Sequence, residues 1–127
     1  MNQVDRSALV LHTAEQMFDL VNDVASYPLF LPWCSGATVL ESNEAVMQAS
    51  LHVAKGGLKY SFTTLNHLQR PSEIKMVLVE GPFSSLSGVW TFKPLSDEAC
   101  KVSLSLQFDF SGKLTSFAMS KVFNQMA

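Results

Sequence analysis

No stretch of this sequence is apolar for long enough to cross a bilayer. Its longest uninterrupted apolar runs, such as those over 8–11 and 76–79, fall far short of the roughly 18 residues that a spanning helix requires. The opening Met1-Asn2-Gln3-Val4-Asp5-Arg6 lacks the basic region, apolar core and small-residue cleavage site of a secretory signal, so the cytoplasm is the expected compartment. Cysteine is scarce: Cys34 and Cys100 are the only two, and in a reducing compartment both are expected as free thiols. Metal chemistry has no local motif. His12, His52 and His67 stand far apart and neither cysteine has a CxxC or HxxxH partner, so three ordinary histidines and no metal site are expected. No glycine-rich loop leads from a strand into a helix, and Lys55-Gly56-Gly57 reads as a hairpin turn, which leaves nucleotide chemistry unsupported.

Charge is low as well, at 16% of 127 residues, with a net charge of −2. Its sign is uneven: up to Ala54 six acids face a single base, Arg6, whereas the remainder holds eight bases and five acids. These bases alternate with acids and form no cluster, so strong sequence-independent binding to DNA or RNA is not expected. What the chain has in quantity is apolar residues, 47% of the total, with nine phenylalanines. At this length such a composition buries a core without disulfides, and the absence of repeats or Pro/Gly/Ser-rich linkers makes residues 1–127 one domain.

Along the chain, an opening strand over 3–11 is followed by Thr13 with Gln16 three residues later, a capping-box signature. Ala14, Met17, Phe18 and Val21 then recur at helical spacing, which predicts a short amphipathic helix over 13–22. Next comes Tyr27-Pro28-Leu29-Phe30-Leu31-Pro32-Trp33-Cys34, where two prolines argue against continuous helix or strand, so an irregular lid or plug is expected. Six strands follow, over 37–42, 46–53, 58–69, 73–80, 86–93 and 101–110, each bounded by turn chemistry such as Arg70-Pro71-Ser72 and Gly81-Pro82. Short turns between consecutive strands imply an antiparallel meander, hence an α+β class. Val102, Leu104, Leu106, Phe108 and Phe110 alternate with polar residues along the last strand, so one sheet face is buried and the other wet. From Lys113 to Ala127 the period is helical again, and the apolar stripe carrying Leu114, Phe117, Ala118 and Val122 is wide enough to need contact on more than one side. With no Gly or Asn cap at its end, this helix is expected to run past Ala127.

The blocks 27–34 and 79–92, the second reading Val79-Glu80-Gly81-Pro82-Phe83-Ser84-Ser85-Leu86-Ser87-Gly88-Val89-Trp90-Thr91-Phe92, resemble the two signature blocks of the coenzyme-Q-binding proteins and their bacterial RatA (ribosome association toxin) relatives. These belong to the polyketide cyclase/dehydrase-like branch of the START and birch-pollen-allergen (Bet v 1) superfamily. The opening 6–10 and 20–24 are similar to the same group. The resemblance covers the whole chain. It implies a helix-grip fold, a curved antiparallel sheet wrapped around a long C-terminal helix. It also implies one of three functions: carriage of a hydrophobic molecule such as ubiquinone or a related isoprenoid lipid, association with the large ribosomal subunit, or cyclase-like catalysis.

A sheet bent around one helix leaves a gap unless large side chains fill it, and a mostly apolar gap is a small-molecule site. The expected lining is Phe62, Leu78, Leu86, Trp90, Phe92, Leu104, Leu106, Phe108 and Phe117. Gly88, on the same stripe as Leu86 and Trp90, is expected to give room where a neighbouring chain or ligand approaches. Phe30, Leu31 and Trp33 are expected to cover one entrance, and the segment 79–83, with Pro82 and Phe83, to form a second gate. These inward positions contain no carboxylate or histidine, so binding is expected in place of catalysis. Transient membrane contact is compatible with a lipid carrier. For a ribosomal partner the expected surface is the outer sheet face, with Lys59 and Lys101 as its cations.

Overall fold

The structure, a computed structural model, describes residues 2–55 and 57–110. Seven strands form a single antiparallel sheet: β1 (Asn2–Val10), β2 (Cys34–Ser42), β3 (Val46–Lys55), β4 (Leu58–Gln69), β5 (Glu73–Glu80), β6 (Phe83–Ser96) and β7 (Ala99–Phe110). Their spatial order is β1-β7-β6-β5-β4-β3-β2. Six strands thus follow one another as a meander, while β1 pairs with β7 at the far edge, Val4 opposite Leu106. The helix expected at the C-terminus, including Phe117, lies outside the described residues.

The helix α1 (Ala14–Asn22) starts where its capping box predicts. Thr13 Oγ1 accepts from the Gln16 backbone N–H, and the Gln16 side chain accepts from the Thr13 N–H, which satisfies two donors that the first helical turn leaves open. Beyond it the Pro-aromatic segment is irregular over 30–33, as expected, but its first three residues belong to a 3-10 helix, Val24–Leu29, with Pro28 inside it. This short helix lacks the i−4 hydrogen bonds that a proline breaks in an α-helix, so it tolerates the ring. Four strands also run longer than expected, β3 by two residues, to Lys55. β2 begins at Cys34 because the Ala54 N–H bonds the Trp33 carbonyl and carries the β3 pairing past Gly36. β6 begins at Phe83 and continues through Pro94, and β7 begins at Ala99. Pro94 stands beside a register shift and past the last residue that β5 pairs, Thr91, a position where a missing N–H is tolerated.

Three apolar clusters line the inner face. One gathers Val4, Val53, Phe62, Phe83, Leu86, Leu104, Leu106 and Phe108. A second sets Phe18 of α1 on Phe92, ring centroids 5.7 Å apart and edge to face, together with Ile74, Cys100 and Val102. A third joins Val24, Met47 and Ala49. Met76 and Trp90 touch the first two clusters, and Leu51 the first and third.

An ion pair ties α1 to the β4–β5 turn. Arg70 Nε and Nη2 donate to the two carboxylate oxygens of Asp19, each at 2.9 Å, the forked geometry that suits guanidinium and carboxylate best. Hydrogen bonding from Arg70 holds the Asp19 carboxyl below its ordinary 3.8. A carboxyl whose folded pKa is depressed contributes stability above its unfolded value and loses it as pH falls through the folded one. The stability difference between wild type and Arg70→Ala should therefore be full at pH 5 and above and shrink below about pH 4. Urea titrations at a series of pH values test this, and a gap that grows in acid would contradict it.

Candidate functional site

The three clusters do not meet in the middle of the concave face. Between them lies a cavity of about 360 Å³, inside the range of small-molecule sites. Among the described residues its floor comes from five neighbouring strands: Ala49 and Leu51 of β3, Phe62, Thr64 and Asn66 of β4, Met76 of β5, Leu86 and Trp90 of β6, Leu104 and Leu106 of β7. The roof comes from Leu20 and Val21 of α1, Val24 and Tyr27 of the 3-10 helix, and Phe30, Leu31 and Trp33 after it. Local sequence explains each contribution. Period-2 alternation turns every second strand residue inward, and the 3-10 helix folds Tyr27 back so that its hydroxyl donates to the Val21 carbonyl. Burial raises the pKa of that hydroxyl well above its usual value, so Tyr27 stays neutral.

The expected lining divides in two. Phe62, Leu86, Trp90, Leu104 and Leu106 line the cavity, as do Phe30, Leu31 and Trp33 in its roof. Phe92, Phe108, Phe83, Leu78 and Pro82 do not. Phe92 is 2% exposed beneath Phe18, and Phe108 is fully buried with Phe83 edge-on against it. The second gate is thus corrected: Phe83 is 5% exposed and packs edge-on to Phe62 at 5.5 Å, so it is core. A core role suits its place because β6 starts at Phe83 and turns the ring inward. Leu78 is half-buried against the same cluster, and half-buried Pro82 sits in the tight turn beside it. Phe117 falls outside the described residues.

Gly88 gives room to its neighbouring strands. It faces Met76 on β5 and Leu106 on β7, and the room left by its missing side chain is filled by those two residues. A Cβ at Gly88 would lie 2.8 Å from Leu106 Cδ1, 2.9 Å from Met76 Cε and 3.2 Å from the Ser105 carbonyl oxygen. Both side chains line the cavity floor.

The two outer-face lysines do not form one patch. Lys59 and Lys101 are both exposed, but β5 and β6 lie between their strands. Gln69 pairs with Glu73, Glu73 with Thr91 and Thr91 with Ser103. Lys101 thus stands near the Gln69 end of β4, and Lys59 is ten residues further down that strand, about 30 Å away. The cation that the fold brings to Lys101 is Lys93, its direct cross-strand partner. Both are exposed, and neither has an ion-pair partner among the described residues.

Other nucleophile and metal chemistry is weakly provided for. Burial raises the thiol pKa of Cys34, whose Sγ donates to the Gly36 carbonyl, and of Cys100, which disfavours the thiolates that nucleophilic attack needs. Both thiols are free. Among the described residues no group of three His, Cys, Asp or Glu is arranged to hold a metal ion, and no helix is long and apolar enough to cross a membrane. Sequence reasoning missed nine described cavity residues: Thr64, Asn66, Tyr27, Leu51, Met76, Leu20, Val21, Val24 and Ala49. The signal for the first two was available, since they continue the inward stripe of Phe62 at period 2.

The curved antiparallel sheet with its roofed apolar concavity defines a START/Bet v 1-like, helix-grip protein. The same fold occurs in the Zhui aromatase/cyclase of Streptomyces sp. R1128, with a TM-score of 0.86, 19% identity and coverage of 98% of this chain and 86% of that one. It occurs also in a START superfamily protein from Mycobacterium smegmatis, with a TM-score of 0.81, 19% identity and coverage of 97% and 87%. Residues 10–127 match the family described as polyketide cyclase / dehydrase and lipid transport, and the chain belongs to that family. Among its relatives is the ribosome association toxin RatA of Vibrio cholerae, 56% identical over 126 residues, which are 99% of this chain and 88% of that protein. More distant is the mitochondrial coenzyme Q-binding protein COQ10 homolog B of Xenopus laevis, 28% identical over 128 residues, covering 98% of this chain and 52% of that protein.

The packing at Gly88 generates a test. Gly88→Ala must push aside the two cavity-floor side chains and should cost about 1–3 kcal/mol, the usual range for overpacking. Unfolding in urea measures the cost. Undiminished stability would mean that Met76 and Leu106 yield freely.

Proposed function

We propose that this protein is a RatA-type factor that acts in the cytoplasm by associating with the large ribosomal subunit and hindering subunit association. The observation that carries this reading is 56% identity, over nearly the whole chain, to a protein named for ribosome association. The face that suits a polyanionic partner is the outer side of the sheet around Lys93 and Lys101. Two like charges set directly opposite destabilise a bare sheet by a few tenths of a kcal/mol or more, and an RNA phosphate between them would relieve the repulsion. Replacing both with glutamate should weaken binding to purified large subunits and flatten its dependence on salt, because fewer counterions are released. Lys59→Glu, about 30 Å away along the sheet, should have the smaller effect. Unchanged affinity of the double variant across a salt series would refute this surface.

A second reading is favoured by the cavity: on its inner face the protein binds an apolar small molecule of the isoprenoid-lipid kind, such as ubiquinone. The described lining offers hydroxyl, amide and indole groups but no carboxylate, imidazole, thiol or amine, which supports binding over acid–base catalysis. Each methylene moved from water into such a cavity contributes about 0.8 kcal/mol. Native mass spectrometry with lipid extraction, on protein isolated from its own cells, should find an apolar molecule bound to wild type and lost from Leu106→Asp. Equal lipid content in the two folded proteins would count against this reading. The two readings use opposite faces of one sheet and are compatible.

A further inference from the structure

The wall of the cavity is polar in one place. Thr64 and Asn66 stand two residues apart on β4, both facing inward, 8% and 7% exposed, and both line the cavity. The Thr64 hydroxyl donates to Asn66 Oδ1 at 2.9 Å. That bond uses the hydroxyl's only hydrogen and leaves the amide NH2 of Asn66 as the free end. Among the described residues no acceptor meets either of its hydrogens. In the sheet Asn66 lies between Met47 and Met76, so its neighbours are apolar and offer it nothing. The amide is therefore open to the cavity and to whatever fills it, and an apolar occupant that displaced water from it would leave a donor unpaired, which is costly. The arrangement is explained if the acceptor arrives with a ligand.

We propose that Asn66, oriented by Thr64, is the point at which the cavity reads its ligand, donating from its amide N–H to the carbonyl oxygen of an otherwise apolar, uncharged molecule. This rests on the second reading above and adds the chemical class. The free end of the pair carries hydrogens alone, so it fits an oxygen that only accepts. No lysine, arginine or histidine is among the described lining residues, so a carboxylate or phosphate would be buried without a counter-charge, which is prohibitive. Tyr27 does not compete, because its hydroxyl already donates to Val21. A plain hydrocarbon would leave the amide unpaired, and sites built around a hydrogen bond discriminate strongly against partners that cannot make it.

The test uses the full chain and two probes with the same tail, 2-decyl-1,4-benzoquinone and decylbenzene, titrated by calorimetry. Wild type should prefer the quinone. Asn66→Leu should lose about tenfold in quinone affinity, near the upper end for one neutral hydrogen bond, and bind decylbenzene at least as well as before. Thr64→Val should lose less, because the amide remains but is free to turn. A readout independent of any variant's folding is the side-chain amide resonance of Asn66 in the wild-type NMR spectrum, which should shift with the quinone and stay in place with decylbenzene. Equal quinone affinity in wild type and Asn66→Leu, or an unmoved amide resonance at saturating quinone, overturns the role of Asn66 while leaving the cavity as a ligand site. Failure of wild type to bind either probe overturns both.

Discussion

A single sheet seven strands wide has to keep water off one entire face, and every other feature of this structure answers that requirement. In a two-layer domain the cover comes from packed helices or a second sheet. Here the described cover is a nine-residue helix and a short 3-10 helix. The ends are solved by side-chain bulk. Phe62, Phe83 and Phe108 interlock at one end, and Phe18 closes over Phe92 at the other. Between these fillings the clusters touch through Met76, Trp90, Leu51 and Leu68, and the cavity lies beside the first three.

The elements over the cavity are held from outside it. Asp19 on the outer side of α1 is gripped by Arg70 in the β4–β5 turn, and Tyr27 is bonded back to Val21, so helix and 3-10 segment are fastened at both ends of the roof. By contrast Phe30 remains 52% exposed and Leu29 84% exposed. On the other side of the sheet the surface is serine- and lysine-bearing, and nothing in the inner-face chemistry depends on it. One sheet thus separates an apolar inner face from an outer one that carries its exposed lysines, and relatives carry names as different as ribosome association toxin and coenzyme Q-binding protein.

Legibility from the sequence was uneven for physical reasons. Strand alternation located the inward residues of β4, β6 and β7, and the Thr13–Gln16 capping box located the start of α1, because both are local patterns. The same alternation assigned Phe92 and Phe108 to the cavity, though they lie in core clusters. Period 2 says which face a side chain takes, but the ends and the middle of that face look alike to it. Phe83 was misread as a gate because the two glycine- and proline-marked residues before it, Gly81 and Pro82, suggested a loop. The start of its strand pairs with β7, Phe83 opposite Phe110, 27 residues further along, before β5 pairing begins at Ser87. Thr64 and Asn66 were passed over because polar residues on an inward stripe break the expected pattern, and such breaks mark function as often as error.

Local chemistry in the chain determined the α+β class, the meander of short-turned strands, the helix cap and the division of the sheet into an apolar and a polar face. Each of these depends on spacings of two to four residues. Only the tertiary structure decided where core ends and cavity begins, that Gly88 makes room for Met76 and Leu106, that Lys101 stands beside Lys93 and far from Lys59, and that Asn66 faces a cavity with its amide unpaired. Those facts depend on which strands become neighbours and in what register, and register is set by pairings between residues tens of positions apart, which no local spacing records.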